Sequence, residues 1–155
     1  MDTGKILEYY TDTEHFKLTN PNPIWKTKRG YAWNIADCAI RALANSAGCD
    51  WMTAYDYLSS KARRDYSVPN DGDSMKKWLA EDGGIWTPFK IQKGKPRMTV
   101  LEFCKKYREG TYIIYLSGHC AAVKDGVLLD VFNFTRNIPG TCLYGYIDMK
   151  NFLMK

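Results

Sequence analysis

Hydrophobic and polar positions follow two different periods along this chain, and the change falls near Gly110. Before it the period is helical. Ile40, Leu43, Ala44 and Ala47 recur on one helix face, so residues 37–47 read as a helix with Asp37 as its cap and Gly48 as its stop. Asp50 opens a second helix with Trp51, Ala54, Tyr55 and Leu58 as its apolar face. The link Gly48-Cys49-Asp50 is short, which makes the two helices packing neighbours. Beyond the loop Val68-Pro69-Asn70-Asp71-Gly72, a short helix over 74–81 carries Met75, Trp78 and Leu79, and Gly83-Gly84 ends it. Residues 85–97 hold a strand and then the polar stretch Lys93-Gly94-Lys95-Pro96. Thr99-Val100-Leu101-Glu102 is a capping box that starts a helix reaching about Tyr107.

After Gly110 the pattern becomes strand-like: Tyr112 to Leu116, Cys120 to Lys124, Val127 to Phe132 and Cys142 to Ile147. Asp125-Gly126 between two apolar runs is a hairpin signal. Residues 1–30 are polar, contain the loop Asn20-Pro21-Asn22-Pro23, and read as an irregular N-terminal arm with room for one strand. The expectation is an α+β fold in one domain spanning 1–155, with N-terminal helices packed on a C-terminal antiparallel sheet.

Composition narrows the classes. At 155 residues the chain is one domain's worth, long enough for a real core without staples. The net charge of +5 comes from Lys and Arg scattered along the chain, with no run that marks a nucleic-acid arm. Eleven Tyr and five Trp read as an aromatic-rich core and surface before they read as a ligand groove. Cys38, Cys49, Cys104, Cys120 and Cys142 are odd in number and form no CxxC pair, which argues against a disulfide framework and a zinc ribbon. A reducing, cytoplasmic setting fits them. No apolar run has the length of a signal or of a membrane span. Neither a cofactor nor a metal is expected.

The chemistry begins at Cys38, in the first turn of the first helix. Amides there lack intrahelical partners and the helix dipole favours negative charge, so a thiol loses its proton more easily and a nearby oxyanion finds donors. Taken alone, Cys38 is more simply a buried structural thiol. Of the two histidines, His15 lies in the polar arm and reads as a surface residue, while His119 enters a strand. If Asp125-Gly126 makes a two-residue turn, Lys124 faces Val127, Ala121 faces Asp130 and His119 faces Phe132. His119 and Asp130 then share a face as diagonal neighbours, about 7–8 Å apart between backbones. Asp130 can orient the imidazole while its other nitrogen faces a thiol. Asn133 is the second choice for that third member. Asn34, four residues before Cys38, is the candidate second oxyanion donor. Trp33 and Arg41 are candidates for substrate binding, with packing and a structural ion pair as their plainer roles.

The order of a Cys at a helix start, a His at a strand start and an Asp on the next strand resembles the papain-like cysteine peptidase superfamily. It is also similar to bacteriocin-processing peptidases of double-glycine leaders. Asp37-Cys38-Ala39-Ile40-Arg41-Ala42-Leu43, Gly118-His119-Cys120-Ala121-Ala122-Val123 and Asp125-Gly126 through Asp130 look like a group of phage and prophage proteins. The resemblance covers roughly residues 34–147. It implies a papain-like fold with the cleft between helix and sheet, a Cys38–His119–Asp130 triad, and amide or thioester chemistry through an acyl-enzyme. It departs at the glutamine that papain-like peptidases carry before the cysteine; Tyr31-Ala32-Trp33-Asn34 stands there.

The expected function is a thiol hydrolase: a cysteine peptidase, isopeptidase or amidase acting on a peptide or protein, for a phage-encoded chain a host protein in the host cytoplasm. Two other readings stand beside it. One is acyl transfer on the same triad, which transglutaminases and arylamine acetyltransferases also resemble. The other is a non-catalytic phage-encoded binding protein on the same fold. Neither membrane nor nucleic acid is an expected partner.

Overall fold

The structure, a computed structural model, describes residues 8–24, 36–136, 138 and 140–155. In chain order these hold β1 (Phe16–Leu18), α1 (Cys38–Ala47), α2 (Trp51–Asp65), α3 (Gly72–Glu81), β2 (Ile85–Pro88), α4 (Val100–Lys106), β3 (Thr111–Leu116), β4 (His119–Lys124), β5 (Val127–Asp130) and β6 (Gly145–Asp148). The strands form one six-stranded sheet in the order β1-β5-β4-β3-β6-β2. The fold is α+β, and the sheet is mixed where an antiparallel one was expected. The difference lies at one edge: β1, from the N-terminal arm, pairs with β5 in parallel, Phe16 opposite Leu128. Every other pairing is antiparallel. Among the described residues no helix is long and apolar enough to cross a membrane.

The expected register of the β4–β5 hairpin is present. Lys124 faces Val127, Val123 faces Leu128 and Ala122 faces Leu129. Asp125 and Gly126 have φ of 50° and 75°, the pair of positive values a type I′ turn requires. A second tight turn, Ser117-Gly118, sets Leu116 against His119 and so places His119 at the first position of β4.

Both sheet faces are covered. Ile113, Tyr115, Cys120 and Ile147 join the core built with α1, α2 and α3, where Leu43, Leu58, Met75, Trp78 and Leu79 are fully buried. Ile114, Leu116, Ala121, Val123 and Leu128 join a second core with Phe16, Phe103 of α4 and Leu143. Alternate residues of β3 thus feed opposite cores, which is why that strand reads as a continuous apolar run. A helix on the far face escaped the simple picture of helices on one side.

Several local details differ from the sequence reading. Tyr55 is exposed and stacks on Trp51, while Tyr57 takes the inward place on α2. The third strand stops at Asp130, and the chain bends from Val131 onward. The last strand starts only at Gly145, because Leu143 and Tyr144 donate their amides to Met98 and Tyr115 instead of a regular ladder. His15 is buried, not a surface residue: its Nδ1 lies 2.8 Å from the Gly126 carbonyl and ties the arm to the hairpin turn. The capping box at Thr99 is formed in both directions with Glu102.

Candidate active site

Cys38 is the first residue of α1, and α1 lies across β4. Asp37 holds the position before it, but its side chain does not cap the helix. Its carboxylate instead accepts from Arg41 Nε at 2.8 Å, Asn22 Nδ2 at 2.9 Å and Trp51 Nε1 at 3.0 Å. The cap comes from elsewhere in the chain. Asn70, in the loop before α3, accepts the Ala39 amide on Oδ1 at 2.7 Å.

His119 and Asp130 meet as the register requires. Nε2 of the imidazole and Oδ2 of the carboxylate are 2.6 Å apart. Asp130 is buried, and its other oxygen takes Arg41 Nη1 at 2.8 Å and the Val131 amide at 2.7 Å. A buried carboxylate with three donors stays ionised: burial opposes its charge, but His119 and Arg41 outweigh it and hold its pKa below the ordinary value. With Nε2 committed to Asp130, Nδ1 is the nitrogen left for Cys38. Phe134 packs against the imidazole, ring centres 4.8 Å apart, and fixes its plane.

The electrostatics of the pair follow from this placement. His119 is desolvated, which alone would discharge it, yet Asp130 and the Cys38 sulfur raise its pKa to about 9. Cys38 is lowered to about 4 by a hydrogen bond from the Cys120 thiol, against the cost of burial, and by the His119 charge and hydrogen bond. A thiol is a weak donor, so the charged imidazole is physically the stronger partner. Cys120 moves the opposite way, well above an ordinary thiol, because it is buried beside the Cys38 sulfur. Near neutral pH the pair is thiolate and imidazolium. Cys104 and Cys49 move the other way from Cys38: burial pushes Cys104 up to about 12, and burial beside Asp50 raises Cys49.

Two cavities open on the pair and share Cys38, Asn70, Gly118 and His119. One, of about 510 Å³, is walled by Val131, Phe132, Phe134 and Ile138. The other, of about 430 Å³, is bordered by Val68, Asp71, Asp73 and Tyr115. The sulfur and imidazole therefore sit at the middle of a cleft with an apolar and a polar side.

The structure brings Cys38, His119, Asp130 and Arg41 together. Arg41 is buried and held by two carboxylates through Nε and Nη1, so the structural ion pair is formed, and the residue also borders the larger cavity beside Cys38. Asn133, the second choice for the third member, is turned away: it is buried and its Oδ1 accepts the Thr135 amide at 3.0 Å. Asn34 and Trp33 lie outside the described residues. Asn70, Cys120 and the Asp37 cluster were not foreseen; each depends on a contact between segments distant in sequence. Among the described residues no group of three or more His, Cys, Asp or Glu is placed to hold a metal ion.

Comparison of the chain with family models, with curated proteins and with solved structures gave no match.

Proposed function

We propose that this protein is a thiol hydrolase, a cysteine peptidase or amidase of papain-like type, in which Cys38 is the nucleophile, His119 the acid and base, and Asp130 the residue that orients His119. The observation that carries this reading is the 2.6 Å contact of His119 Nε2 with a buried carboxylate, which leaves Nδ1 for a cysteine at a helix start. Cys38 of α1 and His119 of β4 border one cleft and Asp130 of β5 lies buried behind the imidazole, an order that supports nucleophilic attack by the thiolate.

In the first step the Cys38 thiolate attacks a substrate carbonyl; an S–C bond forms and the carbonyl electron pair moves to oxygen. Collapse of that tetrahedral species breaks the C–N bond, and the imidazolium proton goes to the leaving amine. Water then attacks the thioester while His119 takes its proton. The S–C bond breaks, the product leaves as an acid, and the thiolate–imidazolium pair is restored.

Exposure of the protein to p-nitrophenyl acetate tests this. Wild type is expected to release a burst of nitrophenolate and carry an acyl group on Cys38, followed by slow turnover. Cys38→Ala and His119→Ala should show neither. An acyl adduct no more frequent on Cys38 than on Cys104 or Cys142 would overturn the assignment.

A further inference from the structure

Tetrahedral intermediates need donors aimed at the developing oxyanion, and α1 supplies fewer than its position suggests. The Ala39 amide, one of the first-turn donors, is already taken by Asn70 Oδ1 at 2.7 Å. The Cys38 amide, at the first helical position, has no acceptor within the helix. A side chain beside the sulfur can supply a second donor.

Asn70 itself meets the requirements. An amide N–H can only donate, so the Ala39 contact fixes which end of the Asn70 side chain is oxygen. The NH2 end therefore faces Cys38, with Nδ2 4.0 Å from Sγ. That is a loose contact in the resting enzyme. An oxygen on the carbon that bonds to Sγ can enter the gap and reach the usual donor range of about 2.7–3.1 Å. An interaction weak at rest and strong in the intermediate is one that speeds reaction.

The residue is also held still. Its neighbour Asp71 caps α3 by accepting the Ser74 amide at 3.2 Å and takes the Ser67 hydroxyl at 2.6 Å. On the other side, Tyr115 of β3 donates its hydroxyl to the Gly72 carbonyl at 2.7 Å. Asn70 borders both cavities, so substrate entering either half of the cleft passes it.

We propose that Asn70 is the side-chain donor of the oxyanion hole serving Cys38, a catalytic residue supplied by the loop before α3. This rests on the thiol-hydrolase reading. The alternative is that Asn70 only caps α1, and two reactions of the same sulfur separate the two roles. Acylation by p-nitrophenyl acetate builds an oxyanion; alkylation by iodoacetamide does not. Asn70→Asp keeps an oxygen for the Ala39 amide and removes the donor, and Asn70→Ala removes both.

The ratio of acylation to alkylation rate at Cys38 is expected to fall about 100-fold in Asn70→Asp, the scale of a lost oxyanion donor. Dividing by the alkylation rate cancels any change in thiolate population. Asn70→Ala, which adds no charge beside the sulfur, should also show a fall, made smaller by the Ala39 amide that it frees. A fall in Asn70→Asp alone would be the effect of the added charge and would overturn the donor role. An unchanged ratio in Asn70→Asp, with wild type still acylated, would overturn the role of Asn70 and leave the hydrolase reading in place. A wild-type Cys38 that alkylates but takes no acyl group would overturn both.

Discussion

His119 Nε2 and Asp130 Oδ2, on neighbouring strands, lie 2.6 Å apart, and the carboxylate is 1% exposed. Against the cost of burying the imidazole, that carboxylate, with the Cys38 sulfur, holds the proton on it to about pH 9. In Asp130→Asn that support is gone and the His119 pKa should fall toward its ordinary value of about 6.5. The alkaline limb of the activity profile should move down with it, and turnover at neutral pH should drop by about 10²–10⁴-fold. NMR titration of the His119 imidazole in the two proteins checks this; a midpoint that stays near pH 9 in Asp130→Asn would mean another group sets it.

The thiolate makes a separate prediction. With Cys38 lowered to about 4, iodoacetamide should modify it at a nearly constant rate from about pH 5 to pH 8. Cys104, pushed up to about 12, should stay inert throughout. In His119→Ala the Cys120 thiol remains but the imidazolium is gone, so the Cys38 midpoint should rise toward the free value of about 8.5. Mass spectrometry of each cysteine peptide against pH reads all of this. A midpoint that does not move would put the activation on Cys120 and α1 alone.

Much of this site was legible because it rests on local rules. Asp125-Gly126 selects a two-residue turn, the turn sets which residues face, and parity then puts His119 and Asp130 within reach. The helix start at Cys38 was legible from the spacing of Ile40, Leu43, Ala44 and Ala47. What escaped was non-local. Asp37 looks like a cap because capping is judged from adjacent residues, yet Arg41, Asn22 and Trp51 draw its carboxylate aside. Asn70 takes the capping role from 31 positions away. His15 seems polar and exposed in sequence, but β1 adds to the sheet edge and carries it to the hairpin turn.

Arg41 ties α1 to β5 through Asp37 and Asp130. Its removal leaves two buried carboxylates short of a partner, so Arg41→Met should lose about 3–5 kcal/mol of stability. Arg41→Lys should recover only part, since one ammonium cannot reproduce the fork that spans both acids. The acid limb of stability follows from Asp130. Its folded pKa lies below the unfolded one, so its contribution is whole above about pH 4 and fades as pH falls through the folded value. In urea unfolding, wild type should weaken on going from pH 5 to pH 3. Arg41→Met brings the Asp130 pKa nearer its unfolded value, so its added loss should be largest at neutral pH and shrink in acid. An equal loss at every pH would mean Arg41 acts by packing alone.

Gly126 is the tightest point of the turn that sets the register. Its φ is 75°, and a Cβ there would lie 2.7 Å from the Cys104 carbonyl oxygen, a backbone atom that cannot swing aside. Gly126→Ala should therefore cost about 1–3 kcal/mol, from left-handed strain and a displaced contact with α4. Whether the site feels this depends on what holds β4. Leu116 to Thr111 pair along its whole length on the β3 side, while only three residue pairs join it to β5. The β3 ladder should keep His119 in place, so the variant should melt earlier yet retain the low Cys38 midpoint. A midpoint that rises with the lost stability would show that the turn, and not the sheet, holds Asp130 against His119.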